Sequence, residues 1–272
     1  MSLLRIIVTV AVLIPVLLLL FQNLLIYHPR PYTADTATRS PFLVPLPYTT
    51  AQGSQQAYYL QPRSDPTRLP RRLWIVFPGN ATRALDLVNF FDPIPDPRDG
   101  YMLIDYPGYG KCQGSPSPAT IQASADAAFA KLAESLHTQP SVLEQDINLL
   151  CQSIGCATGL NFAVHHPIDR IVLCSPFTTM RDMARRVVGW PLCWLLIHNC
   201  DNPARLRELA TRPHPPRITI FHDTDDTTVP IAMGRRLASM FPQMITFHEV
   251  PGAEHNTILS DAQPQILAAM RD

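Results

Sequence analysis

Short apolar runs alternate with helical patterns from residue 72 to the end of the sequence. The apolar runs predict strands at 73–77, 101–104, 147–150, 171–174, 218–221 and 245–250. Helical patterns are found between or after them at 85–91, 119–136, 155–165 and 257–270. This alternation predicts an α/β fold, with a mostly parallel central sheet that helices cover on both faces. In such a sheet, functional sites form outside the carboxyl ends of the strands.

Composition narrows the classes of function that this chain can have. A length of 272 residues can bury the core of one α/β domain. Lysine and arginine total 22, as do aspartate and glutamate, and a net charge of +0 gives no reason to expect a nucleic-acid partner. The six cysteines have no zinc-site spacing, so we predict no metal and no cofactor. Cys193 and Cys200 are the one pair that we consider for a disulfide, and spacing alone does not decide it.

The first 27 residues predict an uncleaved membrane anchor. Residues 6–21 carry no charge, and the apolar character continues to Tyr27, which gives about the 20 residues that a helix needs to cross a bilayer. A cleavable signal peptide would instead need small residues after the apolar run, and residues 24–29 provide no such site. We therefore predict a single-pass membrane protein.

Charges beside this segment give a weak indication of its orientation. Arg5 precedes the apolar run and Arg30 follows it, and this bias favours the bulk of the chain on the non-cytoplasmic side. Residues 28–70 contain several prolines and predict a linker with short strands around 42–46 and 56–61. The α/β domain itself is predicted to span residues 71–272.

Ser153 follows the predicted strand 147–150 and precedes a helical pattern. A strand-to-helix turn that exposes a nucleophilic serine needs small residues two positions before and two positions after it. Gly155 meets this need on one side, whereas Cys151 stands where the Gly-x-Ser-x-Gly pattern has its first glycine. Ser153 could also be an ordinary helix N-cap. The choice depends on whether a base and an acid follow in the right order.

Candidates for both groups follow later strands. The acid is expected before the base in this kind of sheet. Strand 218–221 is followed by an aspartate-rich turn that contains Asp223, Asp225 and Asp226. Strand 245–250 leads to His255, whereas His248 lies within that strand and is the poorer candidate for the base. Because both turns begin at carboxyl strand ends, they are expected on the same rim as Ser153.

The ordered motifs resemble those of the α/β-hydrolase superfamily of serine hydrolases, and most closely its membrane-anchored α/β-hydrolase-domain branch. The matching stretches are Tyr27-x-Pro29 and residues 77–81, 105–114, 175–178, 222–230 and 252–256. The resemblance implies the α/β-hydrolase fold and a serine hydrolase. It implies cleavage of carboxylic esters or thioesters, on a lipid or other acylated small molecule, through an acyl-enzyme intermediate.

The resemblance also implies roles for individual residues. Ser153 would be the nucleophile, His255 the base and Asp226 the acid, with Asp225 as the alternative acid. The backbone amides of Asn80 and Ile154 would form the oxyanion hole. The sequence departs from the family at four positions, where Pro78, Cys112, Cys151 and Asp223 replace the family's usual His, Ser, Gly and Gly. Two other functions therefore stay open, a peptidase or amidase of the same fold and a catalytically inactive, membrane-tethered binding module.

Residues 178–203, called the insertion below, separate the fourth and fifth predicted strands of the α/β domain. The insertion begins with Arg181, Arg185 and Arg186 and continues into an apolar run at 190–197 that is too short to span a bilayer. It could be a helix packed on the core. We predict instead that it is a small lid over the site, and its arginines could contact lipid headgroups.

Overall fold

The computed structural model describes residues 2–33, 40–92 and 94–271, and within them one sheet of eight strands forms the centre. The strands run in the spatial order β1-β2-β4-β3-β5-β6-β7-β8, antiparallel at β1–β2 and β2–β4 and parallel elsewhere. Their bounds are β1 Leu43–Thr50, β2 Gly53–Leu60, β3 Leu73–Phe77, β4 Gly100–Ile104, β5 Ile147–Gln152, β6 Ile168–Cys174, β7 Arg217–Asp223 and β8 Ile245–Val250. The predicted α/β fold with a mostly parallel sheet is confirmed.

Helices cover both faces of this sheet. Leu73, Ile75 and Phe77 of β3 belong to one apolar cluster, and Trp74 and Val76 belong to a second cluster on the other face. A strand buried on both faces is apolar along its whole length, which is why the parallel strands are continuous apolar runs. The α-helices are α1 Leu3–Ile26, α2 Pro118–Ser135, α3 Pro140–Leu143, α4 Ile154–His165, α5 Met180–Val188, α6 Asn202–Ala210, α7 Ile231–Met240, α8 Ile258–Asp261 and α9 Gln263–Arg271. The predicted helix at 85–91 is a 3₁₀ helix, Ala84–Phe91.

The single helix predicted at 257–270 is two helices in the structure. The first, α8, ends at Asp261 and is followed by its C-cap Ala262, which has φ −101° and ψ 14°. The second, α9, has Pro264 in its first turn. Proline has no amide hydrogen to donate and fits only the first turn of a helix, so the chain has to begin a new helix there.

The segment predicted as a linker contributes two strands to the central sheet. β1 and β2 form an antiparallel hairpin, and β2 pairs with β4. Both strands are longer than the predicted runs. Pro45 and Pro47 are tolerated in β1 because it is an edge strand, where a missing backbone donor is acceptable. Residues 34–39 of the predicted linker lie outside the described residues. The chain before the hairpin is also fixed, since Gly110 N donates to Arg30 O at 2.9 Å and the Tyr32 hydroxyl donates to Asp105 Oδ2 at 2.7 Å.

Helix α1 is long and apolar enough to cross a membrane. The span Arg5–Ile26 has a mean hydropathy of 2.5, and only 6% of its most apolar window is buried. Such exposure distinguishes α1 from a helix of the protein core.

All six cysteines are free thiols, so Cys193 and Cys200 are not joined.

Candidate active site

Ser153 lies at a sharp turn between β5 and α4. Its backbone has φ 52° and ψ −116°, a conformation that a residue with a side chain rarely adopts. Its amide donates to Cys174 O at 2.8 Å, which holds the turn against β6. The turn therefore has the strained backbone of a nucleophile elbow, which projects the serine side chain above the sheet edge.

Gly155 is required by the close approach of this turn to β3. A methyl group on Gly155 would overlap the carbonyl oxygens of Phe77 and Pro78. Both atoms are backbone, so no side-chain adjustment could relieve the overlap. The carbonyl of Pro78 is held in place by the Tyr106 hydroxyl, which donates to it at 2.7 Å. The small residue predicted after Ser153 thus has a steric reason in the structure.

Cys151 fits the elbow because a glycine faces it. Its side chain is fully buried, and burial raises the pKa of the thiol well above its ordinary value, so the thiol is neutral. A methyl group on Gly159, in the second turn of α4, would overlap the sulfur of Cys151. The side chain of Cys151 therefore occupies the space that a side chain at position 159 would otherwise fill. Sequence analysis missed Gly159, although a glycine inside a helical pattern is itself a sign of close packing.

This packing predicts a compensating pair of substitutions. Gly159→Ala alone should lower the free energy of unfolding by about 1–3 kcal/mol, because the new methyl group overlaps the Cys151 sulfur. Adding Cys151→Gly should restore most of that loss, because it removes the sulfur. Urea unfolding of both single variants and the double variant measures the effect. A double variant that is less stable than either single variant would contradict this account of how Cys151 is tolerated.

Ser153, His255 and Asp226 are joined by two hydrogen bonds. Ser153 Oγ lies 2.9 Å from His255 Nε2, and His255 Nδ1 lies 2.7 Å from Asp226 Oδ2. Since a carboxylate only accepts, Nδ1 carries the hydrogen and Nε2 is free to accept from the serine hydroxyl. His255 and Asp226 are buried, with 8% and 7% of their surfaces exposed. The structure thus brings together the three residues that the sequence predicted from different strand ends.

The surroundings of Asp226 favour its ionised form. Its Oδ1 accepts from the amides of Thr228 and Val229 at 2.9 and 2.7 Å. Burial raises its pKa, but the neighbouring His222 ring and the hydrogen bonds from His255 and the Val229 amide outweigh burial and hold the pKa well below its usual range. Asp226 is therefore a carboxylate at neutral pH.

The residues considered as the alternative acid and the alternative base lie elsewhere. Asp225 is exposed, and its Oδ2 accepts from the Thr224 hydroxyl at 3.2 Å. The ring of His248 stacks on Phe221, with 5.0 Å between centroids.

His222, which sequence analysis did not assign to the site, is buried with its Nε2 3.5 Å from Asp226 Oδ2. Its Nε2–H donates to Val229 O at 2.8 Å and so supports the turn that carries the acid.

Known proteins share this architecture. No family model matches the sequence. Among solved structures, an alpha-beta hydrolase from Vibrio vulnificus superposes with a TM-score of 0.66 over 86% of this chain and 84% of its own, at 15% identity. Thermogutta terrifontis esterase 2 gives 0.62 over 86% of this chain and 94% of its own, at 16% identity. This chain has the α/β-hydrolase fold.

Curated relatives agree with this assignment. An uncharacterized protein of Mycobacterium tuberculosis is 32% identical over 156 residues, which are 57% of this chain and 52% of the relative. Human alpha/beta hydrolase domain-containing protein 17C is 27% identical over 159 residues, 58% of this chain and 45% of its own. The chain thus spans about half the length of the curated relatives that it matches. Fold and names together support a hydrolase.

The two predicted oxyanion donors, Asn80 and Ile154, line the same cavity as Ser153. Ile154 is the first residue of α4, where a helix leaves its amides without intrahelical partners. Asn80 lies in the turn after β3, and its side chain bonds elsewhere, since Oδ1 accepts from the Tyr109 hydroxyl at 2.7 Å and Nδ2 donates to Ile26 O at 2.7 Å. Its backbone amide therefore belongs to a fixed turn that faces the same cavity as the serine.

The cavity above Ser153 has a volume of about 560 Å³ and a mainly apolar lining. Ser153, His255 and Asn80 are among its polar lining residues. Its walls come from α1 and from the insertion, which contribute Leu18, Gln22, Leu25, Ile26, Met180, Met183, Ala184, Val187, Val188, Leu192, Cys193, Leu195 and Leu196. A ligand with an apolar body and one polar, reactive group would match this distribution.

Proposed function

We propose that this α/β hydrolase is a serine hydrolase that cleaves carboxylic ester or thioester bonds through an acyl-enzyme intermediate. The single observation that carries the proposal is the continuous chain of hydrogen bonds from Ser153 Oγ through His255 to Asp226. Three groups in this arrangement have the geometry that turns a weakly acidic alcohol into a nucleophile.

In the proposed reaction, Ser153 Oγ attacks the acyl carbonyl carbon while His255 Nε2 takes the hydroxyl proton. The carbonyl oxygen becomes an oxyanion that the amides of Ile154 and Asn80 stabilise. His255 then gives the proton to the leaving alcohol or thiol, and the acyl group stays on the serine. A water molecule, activated by the same histidine, releases the acid in the second half of the reaction. Asp226 orients the imidazole and stabilises its charged form.

The proposed substrate is a lipid or another acylated small molecule, handled at a membrane. The mainly apolar cavity and the length and composition of α1 support this proposal. We infer that residues 1–27 form an uncleaved anchor, and that the charge bias of Arg5 against Arg30 places the hydrolase domain outside the cytoplasm. The predicted lid is the insertion, which contributes nine of the residues that line the cavity.

A covalent probe tests the proposal. The full chain, purified in detergent micelles, is treated with a fluorophosphonate and digested, and the modified peptide is mapped by mass spectrometry. We expect the adduct on Ser153, together with hydrolysis of p-nitrophenyl acetate. A folded protein that does not react would instead indicate an inactive binding module. A labelled protein that cleaves peptide amides faster than esters would favour the peptidase alternative.

A further inference from the structure

One face of α1 packs along the hydrolase domain before the helix ends. Pro15, Leu18, Gln22 and Ile26 recur at the spacing of one helical face, and all four are at least partly buried. Leu20 and Leu24, on other faces, are 71% and 68% exposed. The last turns of α1 are therefore part of the domain surface, whereas a simple tether would be exposed on every side.

Gln22 connects this face of α1 to the insertion. Its Oε1 accepts from the amides of Ile197 and His198 at 2.9 and 3.4 Å, and only 8% of Gln22 is exposed. A polar side chain in an apolar helix is costly unless it finds partners in the protein. The ring of Tyr27 also lies 6.0 Å from that of His198. The position of the insertion is thus set by contacts with α1.

The other side of the helix end is joined to the oxyanion turn. Asn80 Nδ2 donates to Ile26 O at 2.7 Å, and Asn80 Oδ1 accepts from His28 N at 2.9 Å. Asn23 Nδ2 donates to Pro116 O at 3.2 Å. Helix α1 is therefore held between the insertion on one side and the turn beside Ser153 on the other.

We propose that the last turns of α1 form one wall of an acyl-chain site, so that the substrate is a long-chain acyl ester or thioester whose chain lies against this helix. The proposal rests on the proposed function and specifies its substrate. Leu18, Leu25 and Ile26 line the cavity from the helix, and Met183, Val187 and Leu192 line it from the insertion. The cavity volume of about 560 Å³ lies within the range of sites for ligands of moderate size.

One apolar cavity residue on α1 and one on the insertion are largely exposed. Leu25 and Val187 both line the cavity, yet they are 59% and 83% exposed. Trp190, Trp194 and Ile197 of the insertion are also largely exposed and apolar. Tryptophan side chains of this kind are enriched at membrane interfaces. An acyl chain could therefore pass from the bilayer along α1 to Ser153 while staying in apolar surroundings.

Chain-length selectivity tests this site. We compare Leu18→Trp, which places a larger ring in the wall, with Leu20→Trp, which places the same ring on an exposed face of α1. Both variants and the wild type are assayed as full chains in detergent micelles with p-nitrophenyl acetate and p-nitrophenyl decanoate. In Leu18→Trp, kcat/KM for the decanoate should fall about ten-fold or more relative to the acetate, because a filled pocket rejects the longer chain. Leu20→Trp should keep the wild-type ratio.

Gln22→Leu gives a second, independent measurement. The leucine keeps α1 apolar but removes the acceptor for the Ile197 and His198 amides, so KM for the decanoate should rise by a larger factor than KM for the acetate. The acyl wall is overturned if Leu18→Trp leaves the decanoate-to-acetate ratio unchanged, if it lowers both rates equally, or if the wild type cleaves only the acetate. In each of these cases, acetate hydrolysis and probe labelling at Ser153 would still support the proposed function. If the proposed function itself is wrong, both acetate hydrolysis and labelling at Ser153 will be absent.

Discussion

Replacement of Ser153 by alanine should lower kcat for p-nitrophenyl acetate by about 10⁶-fold, to a residual rate that only substrate binding and the oxyanion hole sustain. The reason is that, in the proposed reaction, Ser153 Oγ is the atom that accepts the acyl group from the substrate. His255 Nε2, 2.9 Å away, would then have no hydroxyl to activate. Initial rates over a range of substrate concentrations, together with fluorophosphonate labelling, measure this effect.

Ser239→Ala is the matched control for this substitution. Ser239 is exposed, and its hydroxyl donates to Arg236 O within α7, so its loss should leave both folding and turnover unchanged. Circular dichroism should show the same helix content for the two variants and the wild type. If Ser153→Ala retained the wild-type rate, the nucleophile would have to be another residue.

Replacement of Asp226 by asparagine should lower kcat by about 10⁴-fold while the protein stays folded. The amide has nearly the shape of the carboxylate, but it cannot stabilise the positive charge that His255 acquires when it takes the serine proton. It can also present its NH₂ group to Nδ1, which favours the tautomer that leaves Nε2 unable to accept. The 2.7 Å contact between Asp226 Oδ2 and His255 Nδ1 is the interaction that the substitution changes.

Asp225→Asn makes the same chemical change one residue earlier. Asp225 is exposed, so this variant should stay within about two-fold of the wild-type rate. Equal losses in the two variants would remove Asp226 from the proposed role.

The loss of kcat in Asp226→Asn should be the same at about pH 6 and about pH 8. The pKa of Asp226 is lowered, so the wild-type carboxylate is charged above about pH 4.

The sequence predicted the strands of the parallel sheet well because they are buried on both faces. A strand such as β3 has no exposed side, so its residues are all apolar and it can be recognised without knowing its neighbours. Ser153, Asp226 and His255 were found for a related reason. Each follows a strand, and the carboxyl ends of parallel strands share one edge of the sheet.

Other features depended on partners that local patterns do not indicate. The hairpin β1–β2 was predicted as part of a linker, because its prolines are acceptable only on an edge strand. The fit of Cys151 depends on Gly159, which lies on a different element and carries no chemical group to recognise.

Sequence alone therefore determined the class of fold, the order of the three candidate catalytic residues and the apolar character of α1. Only the tertiary structure decided that α1 forms a wall of the cavity. Gln22 meets Ile197 from 175 residues away in the chain, and Asn80 meets Ile26 from 54 residues away. Hydrophobic periodicity reports which face of an element is buried, but it does not report what that face is buried against.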